Sequence, residues 1–263
     1  MATLPAVPAS ADGAPLHTFH CLFGCPVGAP SNDDLIVREI YTLSSNPITK
    51  LADWVAYRVT PDTIGPSQDR IWSADPWLAT EETLKPSDYD GASAARNVDR
   101  GHQAPLAAFS GTPFWLETDV LSNITPQSSA LNQGAWRKLE AQETALAKSA
   151  NIGVYVLTGP LFDRVMAPLP AGPSLQRVPS GYWKVIATED GRMTAFVFDQ
   201  QTPANADYCA MRVTLQTVTI RSRLVLFPGP NTSAWRPLDA ALSCDDPAPP
   251  EQPGEVIGTR SAP

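Results

Sequence analysis

Long apolar runs, histidine and cysteine are all scarce in this sequence of 263 residues. No apolar run approaches the roughly 20 residues that a membrane-spanning helix requires. Residues 1–15 are rich in Ala, Pro and Ser, and they contain neither the basic nor the apolar region of an intact secretory signal. We therefore expect a soluble protein with no membrane among its partners, which begins either at a processed, secreted N-terminus or as a cytosolic chain.

Positive charge is also in short supply. The 19 Lys and Arg residues are outnumbered by 27 Asp and Glu residues, so the formal net charge is -8 at pH 7. Bulk acidity of this kind argues against a nucleic-acid partner, because polyanions bind to basic surfaces. With 43% hydrophobic residues the chain can still bury a full core, as one large domain or two small ones.

The four cysteines form a closely spaced pair and a distant pair, Cys21 with Cys25 and Cys209 with Cys244. Pairing within each set is one of three connectivities, and the sequence by itself does not choose among them. A zinc site is the rival interpretation, but the chain has no CxxC spacing, and its three histidines do not complete a recognisable ligand pattern. Because His17 and His20 lie near the first pair, a metal site there stays open.

One stretch, residues 99–140, concentrates side chains that could do chemistry. His102 has a reference pKa of about 6.5, which suits proton transfer at neutral pH, and Arg100 stands beside it. Taken singly, these residues have ordinary explanations: His102 in a polar turn, Asp-Arg-Gly as a turn, Asn132 as a helix cap. Together with the carboxylates of the stretch they form the set needed for metal-assisted attack of water on a phosphodiester.

Two motifs in this stretch carry a resemblance to a known family. They are DRGHQAPLA at residues 99–107, and SNITPQ at 122–127 followed by LNQGAW and LE at 131–140. Their spacing resembles that of the DNA/RNA non-specific endonucleases with a ββα-metal site, most closely the secreted Serratia-type members. The resemblance extends from about Cys21 to Cys244. We therefore predict an endonuclease domain over residues 17–244, between a flexible N-terminal segment (1–16) and a Pro-rich disordered tail (245–263).

The resemblance implies an α+β, ββα-metal nuclease fold with a central antiparallel sheet flanked by helices and long loops. It implies hydrolysis of DNA and RNA, single- or double-stranded, to 5′-phosphorylated oligonucleotides, with Mg²⁺ as cofactor and Mn²⁺ as a substitute. It also implies the disulfides Cys21–Cys25 and Cys209–Cys244, and hence a secreted or periplasmic setting. A homodimer and an inhibitor protein are open as partners. An acidic chain can serve this function if its cleft is locally basic.

The catalytic chemistry assigns a role to each of four residues. His102 is the candidate general base. Asn132 is the candidate direct Mg²⁺ ligand, while Glu140 and Asp99 are expected to hold metal-bound waters. Asn132 and Glu140 are eight positions apart, roughly two turns of an ideal helix. Spacing alone favours a solvated Glu140, and only the resemblance gives it a role in the site.

The remaining site residues follow from the resemblance. Arg70 is expected to stabilise charge on the transition-state phosphoryl oxygens and to bind substrate. Asn123 is expected to position His102 or its surroundings, Arg100 to contact phosphate or support the turn, and Arg137 to bind substrate. The sequence departs from the Serratia-type pattern at Thr144, where those sequences carry Arg one helical turn after the glutamate.

Periodicity and turn residues predict the elements around the site. Predicted strands are 35–41, 51–60, 154–157, 182–188 and 194–198, with a hairpin turn at Asn46-Pro47 and another at 189–191. Residues 132–149 are predicted as a helix and 61–97 as a long irregular segment that carries Arg70 to the cleft. Residues 206–226 are ambiguous, because 213–220 look like a strand by propensity whereas the family has a helix there.

A different class of function remains as the alternative. A protein of this fold could be a catalytically silent extracellular module that binds nucleic acid or matrix. The presence of His102, Asn132 and Glu140 together favours the active enzyme, because loss of activity usually appears as a change at one of these positions.

Overall fold

A computed structural model describes residues 15–173, 176–229 and 235–245. Most of the predicted N-terminal segment and nearly all of the predicted tail lie outside these residues, so the domain boundaries stay a prediction. The described residues form an eight-stranded sheet with the order β1-β2-β3-β6-β7-β8-β10, in which β9 also pairs with β8. The strands are β1 (Asp34–Val37), β2 (Tyr41–Asn46), β3 (Leu51–Val59), β6 (Val154–Leu161), β7 (Gly181–Thr188), β8 (Arg192–Asp199), β9 (Arg212–Val213) and β10 (Arg236–Pro237).

The sheet is antiparallel except at its end, where β10 pairs with β8 in parallel. Both faces of the sheet are covered, and for this reason every residue of β7 is buried. Alternation along β3 distributes its side chains between two core clusters. Val55 and Tyr57 belong to the cluster on the side of the long helix, whereas Trp54 and Ala56 belong to the cluster that includes Cys21.

A second, two-stranded sheet lies apart from the first and carries the motif. It pairs β4 (Val98–His102) with β5 (Ile124–Ser128) in antiparallel register, with Asp99 opposite Gln127 and His102 opposite Ile124. Residues 99–101 are therefore extended, so the ordinary explanation of Asp-Arg-Gly as only a turn is wrong. Gly101 is needed in this strand because a Cβ there would lie 2.7 Å from Cβ of Gln127.

The helices are α1 (Ala92–Arg96), α2 (Leu106–Phe109), α3 (Ser129–Leu131), α4 (Arg137–Ala150) and α5 (Leu215–Ser222). A π-helical segment, Asn132–Trp136, joins α3 to α4, and Gly134 within it has non-helical angles of φ -99° and ψ -114°. The predicted helix at 132–149 is thus confirmed over most of its length, but it is kinked near its start. Together β4, β5 and this helical unit form the ββα arrangement, and the α+β prediction is confirmed.

One strand prediction is wrong and one ambiguous segment is resolved, each for an identifiable reason. Residues 35–41 are two strands rather than one, because the chain reverses where the Arg38 amide donates to the Tyr41 carbonyl oxygen, at 2.9 Å. Residues 215–222 are helical, so the family expectation of a helix was right and the propensity for a strand was misleading. The Thr214 side chain caps this helix by accepting from the Thr217 amide, and Val218 is buried against the sheet.

The segment 61–97 is irregular as predicted, with only two 3₁₀ turns and α1 as regular structure. A buried carboxylate fixes its middle. Asp75 accepts hydrogen bonds from Arg38 at 2.6 Å, from the Ser122 hydroxyl at 2.5 Å and from the Trp77 amide at 2.8 Å. This anchor lies between Arg38 at the β1–β2 reversal and Ser122 before β5, so the long segment is held in one place near the motif.

Both predicted disulfides are present, Cys21–Cys25 and Cys209–Cys244, and no cysteine is free. The cysteines are therefore not zinc ligands, and the alternative of a metal site beside His17 and His20, which the sequence left open, has no free cysteine to support it. The His20 ring is instead buried and hydrogen-bonded to the Thr42 hydroxyl and the Glu39 carbonyl oxygen. Within the described part of the chain, no helix combines the length and hydropathy needed to cross a bilayer.

Candidate active site

The largest group of predicted site residues lines one open cleft of about 560 Å³ between the long segment, β4 and the helical unit. Its walls include Arg70, Asp99, Arg100, His102, Asn132, Arg137 and Glu140. Asn123 does not line this cleft. Strand β4 contributes the first half of the motif and the helical unit contributes the second, so the two motifs face each other across the cleft.

His102 stands at the end of β4 with its ring held by a carboxylate that the sequence did not single out. Its Nε2 lies 3.0 Å from Oδ1 of Asp119, whose side chain is fully buried and also accepts from the Ile71 amide at 2.6 Å. A neutral imidazole bonded in this way carries its proton on Nε2, which leaves Nδ1 to accept one. Burial lowers the pKa of His102, Asp119 opposes this shift, and the nearby Arg70 guanidinium adds to it.

Asn132 is oriented by Asp99 across the cleft. Its Nδ2 donates to Oδ2 of Asp99 at 2.9 Å, so the amide oxygen Oδ1 points away from that contact, and no described residue donates to it. Asp99 also accepts from Gln133 at 2.8 Å and from the Ser129 hydroxyl at 2.6 Å. Asp99 therefore fixes the first turn of the helical unit, and it leaves one neutral oxygen ligand free.

The kink at Gly134 brings the helix to this position. A Cβ on Gly134 would lie 2.6 Å from the Ala204 carbonyl oxygen and 2.8 Å from its Cα, so only glycine fits against that loop. Because part of the chain between Asn132 and Glu140 is unwound, their separation is not the two turns of an ideal helix. The chain nonetheless places both residues on the cleft wall.

Glu140 occupies the inner wall of the cleft, with its side chain 16% exposed. Its Oε1 is buried without a hydrogen-bond partner among the described residues and lies 3.7 Å from Nζ of Lys184. Burial raises the pKa of Glu140 to about 7, although the Lys184 ammonium opposes this shift. The expectation of a solvated Glu140 from spacing alone is wrong, because the tertiary structure covers most of the side chain.

Comparisons with known proteins agree with this arrangement. The sequence model of the DNA/RNA non-specific endonuclease family matches residues 24–233, which include both motifs and every cleft residue named above. The chain belongs to that family. It is accordingly a nuclease, a hydrolase that acts on DNA and RNA without sequence specificity.

Individual relatives support the assignment to the endonuclease family. A nuclease of Serratia marcescens is 48% identical over 215 residues, which cover 80% of each chain. Human mitochondrial endonuclease G is 34% identical over 139 residues, covering 51% of this chain and 45% of its own length. Among solved structures, the EndoG/EndoGI complex has a TM-score of 0.68 at 24% identity and covers 80% of this chain and 92% of the matched chain. The last comparison supports the fold.

Two cationic side chains line the cleft of this endonuclease without a partner. Neither Arg70 nor Arg137 has a hydrogen bond or an ion pair to any described residue, and both are exposed. Arg100 differs, because its Nη2 donates to the Pro86 carbonyl oxygen at 2.8 Å and its guanidinium lies over the rings of Trp72 and Tyr89. The cleft is therefore locally basic although the protein is acidic.

Asn123 supports the site without lining the cleft. It is fully buried, its Oδ1 accepts from the Ala104 amide at 2.8 Å, and its Nδ2 donates to the carbonyl oxygens of Ala104 and Thr118. These contacts tie the residues just after His102 to those just before Asp119. The side chain thus holds the histidine and its carboxylate partner together.

Two residues around the site escaped the sequence analysis, Asp119 and Lys184. Each contacts its partner across a long stretch of chain, 17 residues for Asp119 with His102 and 44 for Lys184 with Glu140, as the numbering shows. No local spacing signals such a contact. The departure at Thr144 is visible in the sequence, and here its hydroxyl donates within its own helix, to the carbonyl oxygens of Ala141 at 2.9 Å and Glu140 at 3.4 Å.

Proposed function

We propose that this endonuclease hydrolyses phosphodiester bonds of single- and double-stranded DNA and RNA to products with 5′-phosphates, using His102 as general base and Mg²⁺ held at Asn132. The observation that carries the proposal is the His102–Asp119 contact in the cleft that also holds Asn132 and Glu140. It supplies a proton acceptor of fixed tautomer beside free oxygen ligands.

The residues present fit a magnesium site with few protein ligands. Mg²⁺ prefers oxygen ligands and keeps several of its waters. Asn132 offers a neutral amide oxygen that accepts no hydrogen bond from the described residues, and Glu140 offers a carboxylate on the same cleft wall. No cluster of three or more His, Cys, Asp or Glu side chains suited to a metal occurs in the described ranges, which agrees with a site that relies on one amide.

In this proposal Asn132 would hold the metal directly, and Glu140 and Asp99 would hold it through water. When bound, Mg²⁺, or Mn²⁺ in its place, would neutralise charge on the diester. Asp99 already has hydrogen bonds to both of its oxygens, so its larger contribution is to aim the Asn132 amide.

The protein's own residues carry the proton and the charge. His102 removes a proton from the attacking water at Nδ1, while Asp119 keeps the other ring nitrogen protonated. Arg70 pairs with phosphoryl oxygens, for which a planar guanidinium is suited, and Arg137 binds the substrate backbone. In this scheme Arg100 binds substrate only at the rim of the cleft. Its contacts with Pro86, Trp72 and Tyr89 make it chiefly a support for the cleft wall.

The substrate range follows from what the cleft offers. Contacts to the phosphate backbone position a nucleic acid without reading its sequence. Arginines and a metal site recognise phosphate, which DNA and RNA share. The proposal therefore includes both nucleic acids and both strand forms.

Extracellular action is part of the proposal, because two disulfides persist in oxidising compartments. One structural relative is the complex of EndoG with EndoGI, solved to describe how EndoG is inhibited. By analogy, we propose that an inhibitor protein binds the present chain and covers its basic cleft. A homodimer is the other proposed association.

The test is plasmid degradation with and without EDTA, by the wild-type protein and by His102→Ala. We expect complete loss of degradation with EDTA and a fall in kcat of at least ~10² for the variant, because general-base catalysis contributes about 10²–10⁴. The variant should keep the Tm of the wild-type protein. A well-folded His102→Ala protein with near-full activity would remove His102 from the mechanism, and a wild-type protein that binds DNA without cleaving it would make the chain a binding module.

A further inference from the structure

A fully buried ion pair lies directly behind the cleft wall. Lys184 on β7 and Glu143 on α4 both have side chains with no exposed surface, and Nζ of Lys184 lies 2.9 Å from Oε1 of Glu143. Tyr57 on β3 completes the group, since its hydroxyl donates to Oε2 of Glu143 at 2.8 Å and lies 3.3 Å from the ammonium. The ammonium also lies 4.2 Å from the centre of the Trp136 ring.

A buried ion pair contributes little net stability to a protein core. The desolvation of two charges can exceed their mutual attraction, and apolar side chains of similar volume often serve stability equally well. A lysine with a fully buried ammonium therefore calls for a further explanation. A fourth group near this ammonium supplies one, because it is the carboxylate of Glu140 in the cleft.

Glu140 and Glu143 are three residues apart on α4, so both side chains project from the same side of the helix. Glu143 points into the core and is fully buried, whereas Glu140 reaches the cleft. The buried oxygen of Glu140, Oε1, lies 3.7 Å from Nζ of Lys184 and has no hydrogen-bond partner among the described residues. The single ammonium is thus placed between a carboxylate of the core and a carboxylate of the cleft.

We propose that Lys184 is a positioning residue for Glu140. Its ammonium attracts the inner oxygen of the carboxylate and so fixes the side chain against the wall, with the outer oxygen left for the cleft. Glu143, whose Oε1 lies 2.9 Å from the ammonium, holds it in place, so that Lys184 does not collapse onto Glu140. The inference rests on the metal site of the proposed function.

The test measures Mn²⁺ binding by the electron paramagnetic resonance signal of free Mn²⁺, without substrate or turnover. The main variant combines Lys184→Met with Glu143→Gln, which removes one charge of each sign and keeps an acceptor for Tyr57. We expect its Kd for Mn²⁺ to rise by about 10–100-fold, the usual effect of removing a group that orients a metal-binding side chain. Tyr57→Phe is the matched control. It damages the same buried group without touching Glu140, so it should lower the Tm and leave the Kd within about twofold.

Glu143→Gln alone covers the case in which the double variant does not fold. It leaves Glu140 as the only carboxylate beside the ammonium, and we expect weaker Mn²⁺ binding because the ammonium then competes with the metal for Glu140. Unchanged affinity in the folded variants, or an equal loss in Tyr57→Phe, would overturn the role of Lys184. Asn132→Ala separates the two levels of inference. If it binds Mn²⁺ as tightly as the wild-type protein, the proposed metal site is wrong and this inference is overturned with it.

Discussion

At the scale of single residues, the site depends on pairs in which one side chain fixes the hydrogen-bonding state of another. Asp119 fixes the tautomer of His102, and Asp99 fixes which atom of the Asn132 amide is free. Asp119 acts through its partner alone, and Asp99, which in the proposed function also reaches the metal through water, acts chiefly through Asn132. Removal of such a carboxylate should therefore leave the partner side chain in the site but change its protonation or its orientation.

Asp119→Asn tests this for the base. We expect kcat to fall by ~10², within the range of a general-base contribution, because an amide no longer enforces protonation at Nε2. The acidic limb of the pH–rate profile should also move to lower pH. Asp119 raises the pKa of His102 against the effect of burial, so its removal lowers that pKa and leaves the histidine deprotonated at more acidic pH.

The measurement is kcat against pH for the wild-type protein and for Asp119→Asn, with circular dichroism to verify the fold. A profile whose acidic limb moves upward, or a variant with unchanged kcat, would show that Asp119 does not act on His102.

At the scale of elements, the kinked helical unit decides where the metal ligands stand. Its first turn is tied to β4 through Asp99, and its kink lies against the loop at Ala204. Its buried face packs with Tyr57 and Val55 of β3. Displacement of the kink should therefore move Asn132 while the rest of α4 keeps its place in the core.

Gly134→Ala tests the role of the kink. Backbone atoms of Ala204 occupy the space that a Cβ would need, so either the loop or the helix must shift. We expect a loss of about 1–3 kcal/mol in the free energy of unfolding, as for overpacking, together with weaker Mn²⁺ binding. Lys148→Ala, an exposed change on α4 with no described partner, is the control and should match the wild-type protein. Unchanged metal affinity in Gly134→Ala would separate the kink from the site.

The two disulfides close loops of very different length. The separation is 35 residues for Cys209–Cys244 and 4 for Cys21–Cys25. In the chain-entropy model these contribute about 4 and about 2 kcal/mol respectively, because the longer loop loses more freedom in the unfolded chain. Urea unfolding of the two double-serine variants should therefore show the larger loss for the pair at 209 and 244. An equal loss, or the opposite order, would contradict the entropic explanation for this protein.

At the scale of the whole molecule, the net charge of -8 opposes the approach of a polyanion that the cleft must bind. Thr144 contributes to this shortage of positive charge, since the Serratia-type pattern that the sequence resembles has Arg at this position. The hydroxyl makes only local contacts with the backbone of its own helix. Substrate binding should therefore improve on adding a cation there, whereas the chemistry should not.

Thr144→Arg should lower KM, leave kcat unchanged, and steepen the log–log salt dependence by at most about 0.9 for duplex DNA, the value of one phosphate contact. Thr144→Gln, which is long but neutral, is the control and should leave the salt dependence as it is. If kcat changes while KM and the salt slope stay fixed, the arginine acts on the transition state, and the assignment to Arg70 alone is incomplete.

The sequence by itself determined the features that depend on neighbours along the chain. Alternation predicted β3, short buried runs predicted β7 and β8, and turn residues predicted the hairpin between those two. Helix-forming residues without proline predicted α4. The spacing of His102, Asn132 and Glu140 was recognisable because the motifs are contiguous segments. The disulfide pairing came from the resemblance alone, since four cysteines allow three connectivities.

Only the tertiary structure decided which groups meet across the fold. Residues 215–222 became a helix because their buried face covers the sheet, which outweighs the propensity of Val and Thr for strands. Asp119 reached His102, and Lys184 reached Glu140, through contacts that no local pattern encodes. Burial then changed the proton affinities of His102 and Glu140, and burial is a property of the packed molecule, set by every segment that excludes water from the cleft wall.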